Sequence, residues 1–127
     1  MSKEKIKTAS ASKILAETVV QGMQEVKGHE IRLLDLSNIP GAVCQYFVVC
    51  HGDSNTQVEA IARSIEKVTS KELKEKPWHI EGRENADWIL IDFVDVVAHV
   101  FYREAREFYN IEALWADAPV EKIEYQV

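Results

Sequence analysis

The chain has 127 residues, a formal net charge of −6, 46% hydrophobic and 28% charged residues, and two Cys. That describes one ordinary globular domain. Two Cys make no disulfide scaffold, no run of about 18 apolar residues offers a membrane span, and the acidic balance argues against gripping a nucleic-acid backbone.

The charge is uneven. Residues 81–127 hold eleven acids and four bases, a net of −7, whereas residues 1–80 hold ten acids and eleven bases, a net of +1. Met1 to Lys13 has four Lys, no Arg and no apolar stretch, so neither a secretory signal nor a mitochondrial presequence is expected. A cytoplasmic protein with reduced thiols follows.

Residues 1–9 read as a polar tail, expected to be disordered. From Ser10 to Lys27 the apolar positions Ile14, Leu15, Val19, Met23 and Val26 have helical spacing, and Gly28 is a plausible stop. Ile31 to Leu36 reads as a strand, broken by the loop through Pro40 and Gly41. Tyr46 to Cys50, YFVVC, reads as a second strand. Ser54 followed by Gln57 forms a capping-box pattern. The helix it opens buries Val58, Ile61, Ala62, Ile65 and Val68 and runs to about Lys76, where Pro77 ends it. Trp78 to Glu81, Trp88 to Asp92 and Val96 to Tyr102 read as strands. Glu104 to Trp115 reads as helix, breakable near Asn110, which could cap a second piece. The order α-β-β-α-β-β-β-α predicts an α+β fold, a mixed β-sheet with helices packed on it. Residues 10–118 form the expected single domain, and 119–127 a second tail. Two long helices and a short one can cover one sheet face well and the other only in part.

Candidate chemistry is sparse. His29, His51, His79, His99, Cys44 and Cys50 lack the spacing of a closed zinc site, and no metal or other cofactor is expected. No nucleophile elbow, phosphate-binding loop or zinc-protease motif occurs. The hydroxyl of Ser54 is best used as a cap. At the Gly52–Asp53–Ser54 helix start, Asp53 would repel a phosphate. Asp92 and Asp95 are the best carboxylate pair, but they stand three apart across a turn. Their reading as polar hairpin residues outweighs metal binding. A metal-dependent, nucleotidyltransferase-like enzyme using Asp92 and Asp95 is the alternative this pair keeps open.

Trp88 and Leu90 share one strand face, and Ile89 and Ile91 the other. Either helices bury both faces, or one meets a partner. His99, mid-strand, is either a packed ring or a partner contact. Glu81, Glu84, Asp87, Asp92 and Asp95 make the surroundings of Trp88 acidic, which suits a basic partner.

These residues carry a resemblance. Glu81-Gly82, Ala86-Asp87-Trp88, Asp92, Asp95-Val96, His99-Val100-Phe101, Arg106, Tyr109, Glu112, Leu114-Trp115 and Asp117-Ala118 match the pattern of the ribosomal silencing factor (Iojap) family. Upstream, Tyr46-Phe47-Val48-Val49, Gly52, Ser54 and Val58 fit its strand, loop and helix. The resemblance spans about residues 11–118. It implies a non-enzyme with a nucleotidyltransferase-like fold lacking the catalytic carboxylates. It further implies binding to the large ribosomal subunit through its protein number fourteen. Subunit joining would be blocked and translation repressed, with a role in large-subunit assembly and a homodimeric state. It implies no specific nucleic-acid contact and no membrane partner. Trp88 falls on the family's Trp at the ribosomal-protein contact; Asp87, Asp92, Asp95 and His99 are the accompanying candidates. Two positions depart from the pattern. Val94 replaces a Gly before Asp95, and because β-branched residues resist positive φ, the turn is expected to differ locally. Gln45 replaces an acid, so no role of that acid transfers.

Overall fold

The apolar stripe of the first helix forms in α1 (Ser2–Glu25), where Leu15, Val19 and Met23 are buried, although Ile14 lies outside it at 51% exposure. In the computed structural model the backbone is described for residues 2–124 and side chains for residues 11–124. The helix begins at Ser2 rather than Ser10, taking in residues read as tail. Over residues 2–10 Lys, Glu and Ala favour helix, and no Gly or Pro occurs there.

β1 (His29–Asp35) pairs antiparallel with β2 (Tyr46–Gly52). Every residue of β2 is buried, as its continuous apolar run requires of a strand covered on both faces. α2 (Asn55–Leu73) starts at the predicted cap, with Ser54 Oγ accepting the Gln57 N–H at 3.0 Å. The box is offset by one residue, because Gln57 Oε1 accepts from the Asp53 N–H at 2.7 Å. The helix stops before Pro77 can act. Lys74 takes the left-handed conformation, φ 56°, and its N–H bonds back to Ser70.

β3 (His79–Glu81), β4 (Trp88–Asp92) and β5 (Val96–Tyr102) follow as an antiparallel meander. The final helical segment is in two pieces, α3 (Arg103–Tyr109) and α4 (Ile111–Leu114). Asn110 breaks it with φ 45°, and its backbone N–H, not its side chain, closes α3 on Arg106.

One strand was not predicted. β6 (Val120–Lys122) lies within the expected C-terminal tail and pairs antiparallel with β1. Residues 125–127 of that tail lie outside the described residues. Three residues carry too little periodicity to announce a strand, and β6 exists because β1 offers an unpaired edge.

The sheet order is β3-β4-β5-β2-β1-β6, with β2 and β5 parallel and all other pairs antiparallel. The predicted α+β class with a mixed sheet is therefore observed. Two apolar clusters occupy its two faces. Tyr46, Val48 and Cys50 point to α1 and α2, and Phe47 and Val49 to the opposite side. There the cover is thinner, made of the loop around Leu36–Cys44 and of Ile111, Trp115 and Ala118. α3 packs on β5 and β2.

Candidate functional site: a half-covered aromatic sheet face

β4 alternates half-buried and buried residues, so Trp88, Leu90 and Asp92 line the thinly covered face while Ile89 and Ile91 fill the helix-side core. The register places Phe101 opposite Trp88, His99 opposite Leu90 and Val97 opposite Asp92. On the other side His79 pairs with Asp92 and Glu81 with Leu90, both exposed on an edge strand. The cover thus runs out between β5 and β3, with Trp88 and Leu90 at its margin.

Trp88 is held in a fixed frame. Its indole Nε1–H donates to His99 Nδ1 at 3.1 Å. Its ring lies 5.0 Å from the Phe101 ring and 4.9 Å from that of Tyr109. Indole can only donate, so Nδ1 of His99 must be unprotonated and the ring proton sits on Nε2. His99 is 4% exposed and meets Phe47 edge-on at 4.5 Å; Nε2 has no hydrogen-bond partner among the described residues. Burial pushes its pKa down to about 4. His99 is therefore a neutral support beneath the indole, and its ring is not at the surface.

The five candidate residues separate. Trp88 and Asp92 share one face, with His99 behind them. Asp92 Oδ1 accepts the Val94 N–H at 2.7 Å. Asp87 is exposed at the far end of β4, where its carboxylate accepts from Asn55 Nδ2 at 3.2 Å. Asp95 turns toward α1, accepting from Ser12 Oγ at 3.3 Å, and its carbonyl accepts from Gln45 and Tyr46 N–H. Asp92 and Asp95 bond to different partners, and no group of three or more His, Cys, Asp or Glu among the described residues could hold a metal ion. The two Asp also stand at the sheet end where Tyr46 pairs with Val96, whereas the Gly52–Ser54 helix start lies at the other end, where Gly52 pairs with Tyr102. The carboxylate pair and that helix start therefore lie at opposite ends of the sheet.

Leu90 and Tyr109 also lie at this surface and were not among the five candidates, whereas Glu81, already counted among the surrounding acids, pairs with Leu90. Leu90 was legible from its alternation with Trp88. Tyr109 was not, since only the fold brings α3 beside β4. Phe108, 80% exposed, meets the Tyr109 ring edge-on.

The branched side chain of Val94 does not keep this residue out of the left-handed region, as its preference suggested. Val94 itself takes positive φ, 78°. Cys44 and Cys50 are buried free thiols, each pushed up to about 12 by burial. A second polar cluster lines a cavity of about 450 Å³ beside His29, His51, Arg103 and Arg106. Several of its charges pair within the protein. Arg106 grips Glu112 through two nitrogens and donates to His51 Nδ1 at 2.9 Å, and Arg103 pairs with Asp53.

His99 and His51 make stability depend on pH. Both have folded pKa values lowered to about 4, His51 by burial and by Arg106. Unfolded, each titrates near the ordinary histidine value of about 6.5. As pH falls through 6.5 the unfolded state gains protons the folded state refuses, so stability is full above 6.5 and declines toward pH 4. For His99 the loss is about 3 kcal/mol by pH 4. Urea unfolding across this window should show the decline, and His99→Leu should reduce its slope by about half, leaving the His51 part; an unchanged slope in the variant would refute the assignment.

A mixed sheet in this order, with a framed indole on its open face, defines an α+β protein that presents an aromatic surface ringed by acids. The family described as ribosomal silencing factor during starvation matches residues 8–127. The chain belongs to that family. It is 38% identical over 110 residues to ribosomal silencing factor RsfS of Halalkalibacterium halodurans, covering 87% of this chain and 92% of that one. It is 37% identical over 113 residues to the protein of the same name in Bacillus subtilis, covering 89% and 94%. The mouse protein named mitochondrial assembly of ribosomal large subunit protein 1 is 37% identical over 73 residues, 55% of this chain and 32% of that one. A crystal structure from Chromobacterium violaceum superposes with a TM-score of 0.76 at 35% identity, covering 91% of this chain and 92% of that one. Another, from Bacillus halodurans, gives 0.74 at 35% identity, covering 87% and 99%. No helix among the described residues is long and apolar enough to cross a membrane.

Proposed function

We propose that this protein binds the large ribosomal subunit in the cytoplasm through the subunit's protein number fourteen. It thereby blocks association with the small subunit and represses translation. A part in large-subunit assembly, named in the mouse relative, and a homodimeric state belong to the same reading. The protein acts by occupying a surface, without catalysis or cofactor. Residues 10–118 are the acting unit, extended by β6, which completes the sheet edge.

Trp88 carries this reading. Its indole is half-buried, fixed by His99, and flanked by Leu90 and Asp92 on the face the helices leave open. Glu81, Glu84 and Asp87, all exposed, add negative charge around it. Ribosomal proteins are basic, so such a rim steers them while the aromatic anchor supplies affinity. Sedimentation with separated subunits tests it. The protein should travel with large subunits only, less so as salt screens the rim. Asp92→Lys should weaken that binding about tenfold. Equal retention by small subunits, or indifference to both salt and charge reversal, would defeat the proposal.

A further inference from the structure

The turn between β4 and β5 is strained at one residue. The Asp95 N–H bonds to the Phe93 carbonyl at 3.1 Å, a three-residue γ-turn centred on Val94, whose φ is 78°. That is the rarer hand of the γ-turn. A branched Cβ makes it costly, because positive φ crowds the side chain against its own backbone. Among the described residues, the other non-glycine positions at positive φ are Lys27, Glu30, Lys74, Ala86 and Asn110, none of them β-branched.

The surroundings hold the turn in this shape. Phe93 is buried in the helix-side core, its N–H bonds to the Val96 carbonyl at 2.9 Å, and Asp92 Oδ1 takes the Val94 N–H at 2.7 Å. Yet the Val94 side chain is 59% exposed. Folding gains little from this isopropyl group, and Gly or Asn would close the same turn with less strain. Strain held on an exposed side chain beside a binding surface points outward, to something that side chain touches.

We propose that Val94 is a contact residue for the same basic protein partner, set by the strained turn at the end of the line Trp88, Leu90, Asp92; this rests on the reading of that face as the docking surface. The partner it fits is a basic protein surface with an apolar patch beside its cations. Asp92 meets a cation and Val94 meets the patch. Val43, 77% exposed, adds a second apolar group at this sheet end, where the nearby Gln45 N–H bonds to the Asp95 carbonyl at 2.8 Å.

The assignment makes stability and binding move in opposite directions. Val94→Gly and Val94→Asn should both melt higher, by about 4 °C, as the strain is relieved. Both should bind purified ribosomal protein fourteen about tenfold more weakly by calorimetry, the effect of losing a partly buried isopropyl contact. Val94→Ile should bind like the parent. If both variants bind like the parent while Trp88→Ala fails to bind, the Val94 contact is wrong and the docking face stands. If Val94→Asn keeps full affinity and only Val94→Gly loses it, loop freedom is responsible and the contact is again wrong. If Trp88→Ala binds like the parent, the docking face itself falls, and the Val94 contact with it.

Discussion

Trp88→Ala should weaken association with the large subunit by a hundredfold or more while leaving the protein folded, an effect of about 3 kcal/mol or above. Three losses combine. The substitution removes the largest apolar group on the open face, which lies 5.0 Å from Phe101 and 4.9 Å from Tyr109. It removes the donor to His99 Nδ1, leaving a buried acceptor unpaired. It also lets Tyr109 settle into the gap, changing the shape a partner meets. Stability should fall by about 2 kcal/mol, less than for a fully buried Trp because the residue is half-exposed. Circular dichroism should remain that of an α+β protein. Full retention on large subunits at physiological salt would show that the docking surface lies elsewhere.

The second large effect concerns stability. Gly82→Ala should destabilise the fold by about 4 kcal/mol, near the upper end for a single substitution. Gly82 closes the turn between β3 and β4 with φ 90°, where an L-residue is strained. A Cβ there would stand 1.9 Å from the Trp88 carbonyl oxygen and 3.0 Å from its carbon, both backbone atoms that cannot swing away. The chain must give up the turn or the β3–β4 pairing, and with it the position of Trp88. Gly41 separates the two causes. It has φ 78° but nothing within 4 Å of an added Cβ, so Gly41→Ala should lose only the backbone term, about 1 kcal/mol. Urea unfolding of both variants decides the matter. Similar losses for the two would mean that the clash at Gly82 relaxes without cost.

Much of the fold was legible because its main elements announce themselves locally. YFVVC cannot be other than a covered strand, and it lies at the centre of the sheet. Ser54 and Gln57 mark the start of α2 within a residue. The strict alternation of Trp88, Leu90 and Asp92 against Ile89 and Ile91 set the faces of β4. The misses share a cause. β6 forms on an edge supplied by β1, far away in the chain. α2 ended earlier than Pro77 suggested because Lys74 could turn left-handed. Val94 kept positive φ because Phe93 and Asp92 hold the turn from both sides, against the residue's own preference.

The candidate site divides in the same way. Sequence by itself determined the α+β class, the acidic C-terminal part and the shared strand face of Trp88 and Asp92, since side-chain period and charge are properties of consecutive residues. Only the tertiary structure decided which neighbours surround Trp88. Strand register put His99 under the indole and buried it, α3 brought Tyr109 beside it, and α1 supplied Ser12 as a donor to Asp95. Each of these depends on contacts between segments distant in the chain, and the pattern within any one segment is the same whichever partner it finds.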